Sequence, residues 1–126
     1  MNLEYKNVLL FVDMNIGYKG NNVLINNVVV DTGAAHTIIN PDSVYELGIK
    51  AEADDEFITM YGVGGEHYSY RKNINSVNIG RNCLEDVNID FGLIDEEGHI
   101  NGLLGLDVLL KLGVTINLKE LKLYSS

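Results

Sequence analysis

Asp31 directly follows three consecutive valines, Val28-Val29-Val30, whose β-branched side chains predict a buried strand. A carboxylate there is costly unless it is hydrogen-bonded, paired or protonated, so Asp31 is a candidate for acid–base chemistry. Asp31-Thr32-Gly33 also reads as a plain turn, because Asp and Gly are favoured turn residues, and the tripeptide alone leaves both readings open. Other chemistries find no residues to carry them. His36, His67 and His99 lie 31 and 32 residues apart, without paired spacing, and Cys83 has no partner cysteine, so no metal site is expected. No cofactor is expected either. Gly62-Val63-Gly64-Gly65 departs from a dinucleotide fingerprint, which would need its third glycine where His67 stands, and no phosphate-loop Gly-Lys-Ser/Thr occurs. A nucleophile elbow of the form Gly-x-Ser-x-Gly is missing too.

The elements that must position Asp31 are mostly strands. Val8 to Ile16 and Val23 to Val30 predict a hairpin turning over 17–22, where Gly and Asn tolerate positive φ. After the Asp31 loop, Asn40 can cap a two-turn helix that starts at Pro41 and ends at Gly48, with Val44 and Leu47 on one face. Residues 51–56 hold four carboxylates and read as a solvated loop that binds nothing. Phe57 to Tyr61 and His67 to Lys72 predict a second hairpin around Gly62–Gly65, with Tyr68 and Tyr70 on one face. Further strands are expected at Ile74–Ile79 and Val87–Ile94, followed by a polar loop to His99. A short helix over Asp107–Leu112 closes at Gly113, before strands Val114–Leu118 and Leu121–Tyr124. A faint internal echo links Val28–Ile49 with Leu103–Val114: each runs from an apolar strand through a Gly-containing turn into a short helix ending in Leu-Gly.

Composition bounds the partners. The 126 residues, 46% of them hydrophobic, suit one folded domain spanning 1–126. A net charge of −9 repels phosphate backbones and anionic lipid, so neither nucleic acid nor membrane is expected as a partner. No run approaches eighteen apolar residues, the Met1–Lys6 segment lacks the pattern of a secretory leader, and the single Cys83 reads as a small buried hydrophobe; a cytoplasmic protein is the expectation.

Asp31-Thr32-Gly33-Ala34, the glycine-rich Met60-Tyr61-Gly62-Val63-Gly64-Gly65 about thirty residues later, and Asn101-Gly102-Leu103-Leu104-Gly105-Leu106 before a short helix together resemble, in order and spacing, the retropepsin-like (retroviral-type) aspartic proteases. The resemblance spans almost the whole chain. It implies a mainly β, single-lobe acid-protease barrel, closed, with two short helices. It also implies a homodimeric endopeptidase in which Asp31, Thr32 and Gly33 are catalytic and Ala34, Ala35, Gly62, Val63, Gly64 and Gly65 line the polypeptide substrate. Hydrolysis by two carboxylates needs one ionised as base and one protonated as donor, and close carboxylates share one proton. The handling of that proton in aspartic proteases is well understood. Only one Asp-Thr-Gly occurs here, so the second acid would come from a second copy across a twofold axis.

Thr32 would bond across that axis, and Gly33 would let the two loops approach. Gastric relatives carry serine where Ala34 stands, and its hydroxyl can hold the carboxylate ionised; alanine cannot, so a working pH nearer neutral is expected. Leu103 and Ile38 are further expected to line the pocket, with Leu103-Leu104-Gly105 backing the loop. Retroviral enzymes usually carry an aspartate and an arginine at the positions of Ala35 and Leu106, so their ion network is missing here. The alternative reading is a catalytically silent protease-like domain used for dimerisation or peptide binding.

Overall fold

The structure, a computed structural model, describes residues 1–62, 65–95 and 97–125. Its strands are β1 (Glu4–Lys6), β2 (Leu9–Tyr18), β3 (Asn21–Val30), β4 (Ile38–Ile39), β5 (Glu56–Gly62), β6 (Gly65–Ile79), β7 (Asn82–Gly92), β8 (Gly102–Leu104), β9 (Val114–Asn117) and β10 (Lys122–Ser125). A 3-10 helix covers Pro41–Leu47, and helix α1 covers Leu106–Leu112. Eight strands form one sheet in the order β1-β2-β3-β8-β4-β7-β6-β5. A further pairing of β2 with β6 closes six of them into a barrel. The mainly β closed barrel with two short helices is therefore the fold.

Alternation fills the barrel. Met14, Ile16, Val28, Ile39, Ile74, Val77, Ile89, Phe91 and Leu104 point inward and are wholly buried, because strand residues two apart share a face. The first hairpin is longer and its turn tighter than the glycines suggest: strands run to Tyr18 and from Asn21, leaving Lys19 and Gly20 at φ +49° and +87°. Such a two-residue turn matches the strands' right-handed twist. β3 carries a bulge where Asn26 and Asn27 oppose Asp13, with Asn27 at φ +60°, a conformation Asn tolerates better than most residues.

Other expectations change in detail. The helix after Asn40 is 3-10 rather than α; Val44 and Leu47, three apart, are eclipsed on one buried side, as that geometry requires. Asn40 caps it by accepting from the Asp42 N–H, and Gly48 ends it at φ +78°. The two strands expected at 67–72 and 74–79 are one, β6, because partners on β5 and then β7 and β2 hold its backbone throughout. Tyr68 and Tyr70 diverge in burial: Tyr70 stacks on Phe91 while Tyr68 is exposed.

Two corrections concern polar and reactive groups. The acidic loop at 51–56 is not merely solvated: the buried Lys72 ammonium sits 2.6 Å from Glu52 and 2.9 Å from Asp55, which ties the loop to β6. Cys83 is exposed on β7, opposite Asn78, and not a core residue. At the other end of the chain β10 pairs with β9 in a separate two-stranded sheet, and its Leu123 N–H donates to the Met1 carbonyl.

Candidate active site

Asp31 sits where β3 leaves the barrel. Val30 is the last residue paired with β8, opposite Leu104, and the Asp31 N–H continues the ladder by donating to the Leu104 carbonyl at 3.0 Å. Beyond it the chain turns outward. The Ala34 N–H returns to the Asp31 carbonyl at 3.2 Å, and the Gly33 N–H donates to Asp31 Oδ1 at 3.0 Å, fixing the carboxylate over its own loop. Within one chain Asp31 is only half-buried, which corrects the expectation of a buried acid: Val28 and Val29 are enclosed, Val30 is half-buried, and the strand ends before the carboxylate. Thr32, Gly33 and Ala35 are exposed and Ala34 is half-buried, so the loop presents an open surface around Asp31.

The turn after β8 braces this loop from behind. The Leu106 N–H donates to the Ala34 carbonyl at 2.8 Å. Gly105 lies so close that a Cβ there would stand 2.8 Å from both the Ala34 oxygen and the His36 carbonyl carbon, so no side chain fits without moving backbone. Leu104 is wholly buried beneath.

Two residues not singled out from sequence complete the brace, Thr37 and Asp107. Thr37 is wholly buried; its N–H lies 3.0 Å from each Asp107 carboxylate oxygen, and its hydroxyl donates to Oδ1 at 2.6 Å. The same hydroxyl accepts from the Gly105 N–H at 2.9 Å. Asp107 also accepts from the Val108 N–H, satisfying a free donor of α1's first turn. An acid in a helix's first turn was visible in the sequence; that its other partner would be Thr37, seventy residues away, was not.

The glycine-rich hairpin is β5 and β6, in register from Glu56 opposite Arg71 to Gly62 opposite Gly65. Val63 and Gly64, expected to line substrate, lie outside the described residues. Among the described residues no hydrogen bond joins the hairpin's end directly to the Asp31 loop. Of the expected apolar lining, Leu103 is half-buried and Ile38 is buried, on the face of β4 opposite to Ile39 and against Gly92.

A groove of about 710 Å³ opens instead beside β2, lined by Lys6, Leu9, Phe11, Asn27, His99 and Ile100 among others. Phe11 pairs with Val29, two residues before Asp31, and none of residues 31–35 lines the groove. The β3 bulge shapes its far side: Asn27 accepts from Lys6 Nζ at 2.6 Å, and the Asn26 and Asn27 carbonyls take the Asn101 side-chain and backbone N–H groups. The polar loop before Asn101 is folded around Asp95, whose carboxyl is held below its ordinary value by the N–H groups of Glu97, His99 and Ile100.

A profile of the family described as "gag-polyprotein putative aspartyl protease" matches residues 19–111, running from the first hairpin's turn through the Asp31 loop and β5–β8 into α1. The chain belongs to the retropepsin-like aspartic protease family. The family's fold is also that of a solved relative, the crystal structure of a retropepsin-like aspartic protease from Rickettsia conorii, at TM-score 0.69 and 21% identity over 96% of this chain and 93% of that one. Comparison with curated proteins gave no match. The Thr37–Asp107 brace stands close in sequence to Ala35 and Leu106, the positions where retroviral enzymes usually carry an aspartate and an arginine.

Proposed function

We propose that the protein is a homodimeric aspartic endopeptidase acting on extended polypeptides, with Asp31 of each subunit supplying one of the two carboxylates. The observation that carries this is the presentation of Asp31: a family-type Asp-Thr-Gly loop, braced from behind by Thr37, Gly105 and Asp107, that leaves its carboxylate half-exposed at the barrel's end. A single carboxylate has no partner with which to share a proton. Two of them meeting across a twofold axis would hold one proton between them, leaving one group to take a proton from water and the other to donate to the scissile carbonyl. The attack forms no covalent intermediate.

Gly33 permits that approach, and Thr32, exposed at the loop's tip, would bond across the axis. The β5/β6 hairpin would cover the bound peptide with backbone hydrogen bonds and exclude water, the service for which Gly62, Val63, Gly64 and Gly65 are proposed. Ala34, Ala35 and Leu103 would flank the scissile bond, and their apolar side chains favour apolar substrate side chains.

Asp31→Asn tests the proposal. Cleavage of an unstructured polypeptide should fall by at least about 10³-fold, since acid–base groups contribute 10²–10⁴ each and the substitution removes one from each subunit. The thermal transition should be unchanged. Cleavage surviving in the variant, or sedimentation as a monomer at every concentration with a hydroxyl-bearing transition-state analogue present, would remove the assignment.

A further inference from the structure

Resting on that proteolytic reading, we infer that Arg71 is a positioning residue that couples the β5/β6 hairpin to the Asp31 loop through Asp90 and Thr37. Glu56 on β5, Arg71 on β6, Asp90 on β7 and Ile38 on β4 are successive cross-strand neighbours, one row running around the barrel wall. Arg71 grips Asp90 with two prongs, Nε to Oδ1 at 2.7 Å and Nη2 to Oδ2 at 3.2 Å, and reaches Glu56 with Nη1 at 3.4 Å. The Asp90 carboxylate is 4% exposed. Its backbone N–H donates to the Thr37 carbonyl at 3.1 Å, and Thr37 is the residue that Asp107 and Gly105 clamp behind Asp31. Hairpin base and catalytic loop thus share one mount.

Stability alone does not account for this pair. A buried ion pair roughly breaks even against well-packed apolar residues of similar volume, because desolvation offsets the attraction. What the fork adds is direction: two parallel N–H···O bonds fix the guanidinium plane and the carboxylate plane together, which a lysine or an apolar contact cannot do. A hairpin that closes over a peptide must stand at a set height above Asp31, and a misplacement of about 1 Å can cost about 10²-fold in rate. The row meets that need from the hairpin's base.

The test uses the full-length chain and two variants, Arg71→Met/Asp90→Leu, which leaves no buried charge unpaired, and Arg71→Lys, which keeps the charge but not the fork. Hydrogen exchange is followed over the Asp31–Thr37 loop, and peptide cleavage is resolved into kcat and KM well below the unfolding temperature. Both variants are expected to speed exchange in the loop about tenfold and to lower kcat by about 10- to 100-fold, with KM changed less. A purely structural pair would lower the unfolding temperature and leave loop exchange and kcat as they are; that result, in either folded variant, overturns the inference. Should the double variant not fold, Arg71→Lys decides by the same two readouts. Wild-type protein that cleaves nothing defeats the proteolytic reading, while loop exchange still decides the coupling.

Discussion

The two strand–turn–helix units of this barrel, β3 through Gly48 and β8 through Gly113, run side by side as parallel neighbours, yet they do different work. The first breaks out of the sheet at Asp31, exposes Thr32 and Gly33, and starts its helix with a side-chain cap from Asn40. In the second, the strand passes straight into α1 through Gly105, with no side-chain cap, and its acid, Asp107, points back at the first unit. One unit displays a carboxylate; the other uses a carboxylate to hold that display still. Two similar backbones take opposite roles according to whether the acid comes before the turn or after it.

Removing Asp107 should break this division of labour most severely. Asp107→Ala strands the buried Thr37 N–H and hydroxyl, and the loss should be about 3 kcal/mol at the upper end of the cost of unpaired buried groups. Chemical denaturation measures it, and a loss below about 1 kcal/mol would mean the brace carries little. Next comes the pair Gly105→Ala and Gly33→Ala. The first drives a Cβ to 2.8 Å from the Ala34 and His36 backbone, whereas the second meets only the Asp31 Oδ1 at 3.3 Å. Gly105→Ala should cost about 1–3 kcal/mol as an overpacked position, and Gly33→Ala less than half of that. Equal losses would show that the two turns are equally crowded. Smaller again, Asn40→Ala removes the cap that only the first unit has, for about 1 kcal/mol, read as a fall in unfolding temperature.

The finest distinction is one of pH, at the Lys72 clamp on the hairpin's flank. Burial pushes the Lys72 ammonium down, but hydrogen bonds to Glu52 and Asp55 and their charges outweigh it and hold it up at about 12. Glu52 and Asp55 are held below their ordinary values of 4.5 and 3.8, chiefly by the hydrogen bond from Lys72. Depressed carboxyls contribute stability above those ordinary values and lose it as pH falls through the lowered ones; the raised lysine contributes below 10.5 and loses it as pH rises through 12. Lys72→Met should therefore flatten the unfolding temperature at both the acid and the alkaline flank. Curves that stay parallel to wild type would rule the clamp out as a source of pH dependence.

Much of this was legible before folding. The Asn40-Pro41 start, the Gly48 and Gly113 stops and both hairpins follow from local rules, since a cap, a fixed φ or a positive φ is demanded by residues within a few positions. Errors arose where distant partners decide. Asp31 looked buried because its valines are, and residues 51–56 looked idle because nothing nearby in sequence names Lys72 as their partner. The unbroken course of β6 likewise depends on neighbours from three other strands.

From the sequence alone came the family's motifs, the barrel they imply and the single acid on which hydrolysis would turn, because residue type and short spacing encode turns, caps and strand faces. Only the tertiary structure chose which carboxylates would meet which partners. Thr37 finds Asp107 where a loop packs on α1, and Arg71 finds Asp90 across the β6–β7 pair, and such pairings are set by tertiary packing and strand register rather than by any near neighbour in the chain.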